Sequence, residues 1–150
     1  MSSTEHTPVP SPAAGGDVVV GVDGSENSRR ALTWAARQAE LTGAHLRVVM
    51  SWYLTASAGW VAVPDNVDLE GAATQVLATF VPATLGANPA VSVSTVVAQG
   101  HPAEVLVEQS QGAALVVVGS RGHGEFAGML LGSVSAYVTA HAHCPVVVVR

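Results

Sequence analysis

Lysine is absent from this 150-residue chain, and its six arginines are set against eleven aspartates and glutamates, for a formal net charge of −5. Without lysine there is no Walker A loop and no Schiff-base chemistry. Six scattered arginines in an acidic protein cannot supply the basic face that nucleic-acid phosphates require, so no nucleic-acid partner is expected. The single cysteine, Cys144, permits no internal disulfide. The first residues have neither the basic start nor the apolar core of a secretory signal, and no apolar run approaches the roughly 18 residues of a membrane span. These absences predict a soluble, cytoplasmic protein with no membrane partner. Catalytic signatures are also missing: no G-x-S-x-G elbow, no recognisable Ser, His and acid set, and no carboxylate pair for acid-base work. No catalytic residue is therefore named.

What the chain does have is apolar residues, 49% of the total against 11% charged, enough for a sizeable core in one domain. Residues 1–16, rich in Pro, Ser and Thr, read as a flexible tail. Residues 17–150 read as the domain. Asp17 to Val22 is a short β-branched run closed by the turn Asp23-Gly24-Ser25. Helical spacing follows, with Ala31, Leu32, Ala35, Ala36 and Ala39 on one face, and Gly43 ends it. His45 to Ser51 is a second strand. An irregular connection, Trp52 to Pro64, leads to a helix starting near Asp65 or Asn66, which Pro82 should kink or end one turn early.

The second half repeats the rhythm. Val91 to Ala98 is strand-like, Pro102 to Gln111 helical with proline in the first turn, and Ala114 to Gly119 a fully apolar strand. A loop and helix lead to Pro145 to Arg150. Five apolar strands separated by helices predict an α/β fold: an open five-stranded parallel sheet with helices on both faces. Ligands of such sheets bind beyond the carboxyl ends of the strands, where the winding reverses.

The strongest signal lies beyond the fourth strand. Gly119 and Gly122 are separated by two residues, nine more intervene, and Gly132-Ser133 opens the last helix. Glycine lets backbone approach a ligand and lets successive amides turn inward as an anion nest. Gly132, Ser133 and Val134 would then offer free amides and a hydroxyl at a helix N-terminus, where the dipole favours negative charge. That arrangement holds phosphates without lysine.

These residues, with the early Val22-Asp23-Gly24-Ser25, the segment GSRGHGEFAGMLLGSVS and the closing HCPVVVVR, resemble the ATP-binding branch of the universal stress protein family over residues 17–150. The resemblance implies strand order 3-2-1-4-5 in an adenine nucleotide alpha hydrolase-like fold. It implies ATP as the ligand, with any Mg2+ held by the phosphates, and slow or absent hydrolysis. By the same resemblance Asp23 contacts the ribose and adenine region and Val22 walls the base. Gly119, Ser120 and Gly122 line ribose and phosphates, and Gly132, Ser133 and Val134 cap them. Ser51 stands most nearly where members carry a small aliphatic residue at the end of strand two, and Met50 stands where histidine is common. A stress-response protein acting through nucleotide-dependent conformation or partner binding is the expected function. The alternatives are a dimeric interaction module that has lost the ligand, or a weak ATPase.

Several residues have competing readings. Gly122-x-Gly124-x-x-Ala127 matches a dinucleotide fingerprint, but nothing acidic follows Glu125 to bind a ribose. Asp23 is equally suited to be a turn or capping carboxylate. Arg121 and His123 can reach phosphate or lie solvated at a loop tip. His141, His143 and Cys144 offer no fourth ligand at zinc-like spacing. Trp34 is expected to pack on the sheet, and Trp52, Tyr53 and Trp60 to pack in the loop beside the site. In the strand order that the resemblance implies, the final strand, an almost unbroken valine run, lies at a sheet edge, which predicts a two-fold homodimer through Pro145 to Val149, with Arg150 at its margin.

Overall fold

The computed structural model describes residues 16–53, 67–121 and 131–150. The expected tail apart from Gly16, the loop containing Trp60, the predicted helix start at Asp65 or Asn66, and the stretch with Gly122, His123 and Gly124 lie outside the described residues. Among the described residues nine elements alternate: β1 (Val18–Gly21), α1 (Glu26–Thr42), β2 (Leu46–Trp52), α2 (Leu69–Leu85), β3 (Val93–Gln99), α3 (Pro102–Gln109), β4 (Leu115–Gly119), α4 (Ser133–His141) and β5 (Val146–Val149). All neighbouring strands are parallel, in the order β3-β2-β1-β4-β5. This is the order and the architecture expected above.

Alternation along each strand sorts the core into two layers. Val18 and Val20 of β1, Leu46, Val48 and Met50 of β2 and Val117 of β4 are buried with α1 and α2 on one face. Val19, Val49, Val116 and Val118 are buried with α3 and α4 on the other. The connections through α1 and α2 therefore move one way from β1, and the one through α3 carries the chain back across to β4. The winding reverses between β1 and β4, which leaves a crevice at their carboxyl ends.

Local chemistry sets the helix ends. Ser25 caps α1, its Oγ accepting from the Ser28 amide at 3.2 Å, and Gly43 closes the helix in the left-handed region at φ 71°. The buried stripe of α1 is Ser28, Ala31, Leu32, Ala35, Ala36 and Ala39. Trp34 lies outside it and is 37% exposed, so the expectation that it packs on the sheet is corrected. It sits about 140° around the helix from Arg29. Arg29 faces α2, bonding Thr84 and lying 5.1 Å from the Phe80 ring centre. Trp34 thus occupies the flank turned away from α2.

Helix α2 differs from the expectation as well. It begins at Leu69, capped by Asp68, and runs through Pro82 to Leu85 instead of ending a turn early. Proline removes only the bond to the carbonyl of residue 78, within the last turn, while buried Leu77 and Phe80 hold that turn on the sheet and the Gly86 amide closes on the Pro82 carbonyl at 2.9 Å. Among the described residues, no helix is long and apolar enough to cross a membrane.

Candidate functional site

The crevice at the β1/β4 reversal is the candidate site. Its floor is Gly21, Val49, Val118 and Gly119, and α3 supplies an apolar wall of Pro102, Val105 and Leu106. Around the rim stand Val22, Asp23, Ser28, Ser51, Arg121, Gly132, Val134 and Ser135. Of the residues singled out in the sequence, Val22, Asp23, Ser51, Gly119, Gly132 and Val134 meet here. Ser120 is buried behind them, Ser133 is exposed on the first turn of α4, and Gly122 lies outside the described residues. The α3 wall and Ser135 carried no signal of their own, because only the crossover brings them over the strand ends.

Asp23 adopts the turn geometry: its Oδ1 accepts from the Ser25 amide at 2.9 Å. Its side chain is nonetheless exposed, and it lines the crevice. Two expectations about glycines are corrected. The Gly132 amide is not free, since it donates to the Ser120 carbonyl at 2.6 Å, and that same carbonyl accepts from Ser135 Oγ at 3.1 Å. The backbone of Gly132 is extended, a conformation open to any residue. At Gly119 the space of a Cβ is filled by the backbone of Asn27 in α1, not left for a ligand. Here glycine serves the approach of a helix to a strand.

The first turns of the four helices differ. Ser25, Asp68 and His101 each bring a side chain that accepts from the first turn of α1, α2 and α3, whereas Gly132 brings none to α4. The uncapped helix is the one whose first turn borders the crevice. Beside it is Arg121, which makes no ion pair or hydrogen bond with the described residues. A helix N-terminus and an unengaged guanidinium on one rim attract the same thing, an anion.

Metal binding gains nothing from the structure. Among the described residues no group of three His, Cys, Asp or Glu is placed to hold an ion. Burial pushes the Cys144 thiol above its ordinary range, partly offset by a backbone hydrogen bond at Val116, which makes the thiolate scarce at neutral pH.

The family model for universal stress proteins matches residues 16–150. The chain belongs to the universal stress protein family. A universal stress protein of Mycobacterium tuberculosis is 39% identical over 133 residues, which cover 89% of this chain and 44% of that protein. One of Mycobacterium bovis is 36% identical over 149 residues, 88% of this chain and 47% of that protein. The chain thus spans about half the length of the curated relatives it matches. Among solved structures, a universal stress protein in complex with cAMP is 28% identical with a TM-score of 0.66, covering 91% of this chain and 97% of that one. The UspA protein of Lactobacillus plantarum shares the fold at a TM-score of 0.74 and 24% identity, covering 90% and 97%. The fold is that of the universal stress proteins.

Proposed function

We propose that this universal stress protein binds an adenine nucleotide, ATP, in the β1/β4 crevice and acts in stress response through nucleotide-dependent conformation or partner binding. One observation carries the reading: the uncapped first turn of α4 and the unengaged Arg121 border the same crevice. Phosphates placed there gain the helix dipole and the guanidinium. The ribose then lies at Asp23, and the base against Val22, Ser51 and the apolar wall of α3. The bound cAMP of the relative at 28% identity supports an adenine ligand. Any Mg2+ would be held by the phosphates, as no described side-chain cluster is suited to it.

Mass spectrometry of small molecules released by heat from freshly purified protein tests this directly. An adenine nucleotide near one per chain is expected. Its absence, together with no heat of binding on titration with ATP, would leave a dimeric interaction module of the same fold as the better reading.

As partner we propose a second copy of the chain. Strand β5 ends the sheet, with Val146 to Val149 each half-buried and one ladder edge facing away from β4. Exposed Trp34 extends the apolar margin, since α1 reaches over β5 and Trp34 lies on the flank away from α2. Antiparallel pairing of two such edges gives a closed, self-complementary interface.

A further inference from the structure

Away from the crevice, one cluster joins a nucleophile to a base. His45 stands just before β2, and its ring lies between two hydroxyls of the neighbouring strand segment: Nδ1 is 2.9 Å from Ser92 Oγ and Nε2 is 2.7 Å from Ser94 Oγ. His45 and Ser94 are 49 residues apart in the chain. No spacing in the sequence links them, and they meet only because β2 and β3 pair in parallel with Leu46 beside Val93. The cluster lies at the amino ends of the strands, about 20 Å along β2 from the crevice residue Ser51.

The geometry differs from that of a surface serine that merely touches a histidine. With both nitrogens held, the imidazole is fixed in one plane. In the neutral ring one nitrogen donates and the other accepts. When Nδ1 carries the proton it donates to Ser92, and Nε2 accepts from Ser94 at the shorter of the two distances. Nucleophile, base and orienting group then stand in the order of a hydrolytic triad, with a hydroxyl in the place of the carboxylate. The cluster is also open to solvent: α3 packs over β1 and β2, β3 is the last strand on its side, Ser94 is half-buried and Ser92 is exposed. Because the Leu46 amide donates to the Ser92 carbonyl, the parallel ladder turns the Thr95 amide, next after Ser94, off the free edge of β3. That is one donor for an oxyanion, where hydrolases have two.

We propose that Ser94 is an acyl-acceptor site, with His45 as its base and Ser92 as the residue that positions the ring, and that it takes the acyl group of an activated ester. The Ser94 oxygen bonds the carbonyl carbon while its proton passes to His45 Nε2. The bond from that carbon to the leaving oxygen then breaks, and His45 returns the proton to it, so that the products are an alcohol and an acyl-serine. Water can repeat the sequence and free the serine. With an ordinary alkoxide as leaving group and a single oxyanion donor that second half is slow, so the acyl-serine accumulates. No lysine amine competes for the acyl group, and burial keeps the Cys144 thiol above its ordinary range.

The probe is p-nitrophenyl acetate, incubated with the full chain, which is then digested and mapped by mass spectrometry. One acetyl group on Ser94 is expected, formed about a hundredfold faster than in His45→Gln. Ser94→Ala should remove it. The mapped adduct is the readout because the six histidines can react with the ester directly and lose their acyl groups to water before mapping. Ser92→Ala should slow acetylation of Ser94 about tenfold, whereas Ser92→Asp, which gives Nδ1 a carboxylate partner, should exceed the wild type. Equal melting temperatures should show that the variants are folded. No adduct on Ser94, acetylation spread evenly over the serines, or a rate at Ser94 unchanged in His45→Gln would overturn the proposal and leave the three residues as a tie between β2 and β3. Rates indifferent to both Ser92 substitutions would overturn the positioning role.

Discussion

The carbonyl oxygen of Asn27 lies 3.0 Å from the position a Cβ on Gly119 would occupy, so the end of β4 and the first turn of α1 meet backbone to backbone. Neither side of this contact can yield by rotating a side chain. Gly119→Ala should destabilise the fold by roughly 1 to 3 kcal/mol, because the added carbon forces strand and helix apart. Gly119→Val should be worse. Urea unfolding measures both, and midpoints equal to wild type would show that the helix retreats freely.

Arg121→Ala should weaken ATP binding about tenfold, since a guanidinium–phosphate bond is charge-assisted and bidentate. Adenosine, which has no phosphate, should bind the variant and the wild type alike. Calorimetry at low and high salt should also find a shallower salt dependence in the variant. An equal loss for adenosine and ATP would mean that Arg121 supports the crevice instead of the anion.

At Asp23, two substitutions separate the turn from the ligand. Asp23→Asn keeps an oxygen that can accept from the Ser25 amide, and its melting temperature should stay near wild type while ATP affinity falls. Asp23→Ala loses the turn bond as well, and its affinity should drop by about 1 to 3 kcal/mol. If stability alone changes in the two variants, the carboxylate is a turn residue only.

For the pairing of β5, Val147→Pro is the direct test. It removes an amide from the middle of the strand, and should yield monomers or aggregates where the wild type sediments as a dimer. Trp34→Glu, which leaves the sheet untouched, should weaken the dimer without unfolding the monomer. A wild-type mass that stays monomeric at every micromolar concentration would rule out this interface.

Periodicity made much of the fold legible. The valine runs at Val18–Gly21 and Val146–Val149, the alanine stripe of α1, Ser25 at its start and Gly43 at its end all act through neighbours within a few residues, so their meaning is local and readable. Five such runs with helices between them require crossovers, and crossovers require parallel strands. The order β3-β2-β1-β4-β5 came from family resemblance, because nothing in one strand names the neighbour it pairs with. Tertiary packing decided the rest. Pro82 did not end α2 because Leu77 and Phe80 hold that turn on the sheet, and Trp34 faced outward because the small alanines already filled the interface. Gly119 and Gly132 were conspicuous in the sequence, but their partners, Asn27 and Ser120, are brought to them only when α1 and α4 dock at the end of β4. Ser51 and the α3 wall met by the same route. A single chain records its own spacings, whereas the hydrogen bonds left open at a crevice depend on which distant segments arrive there.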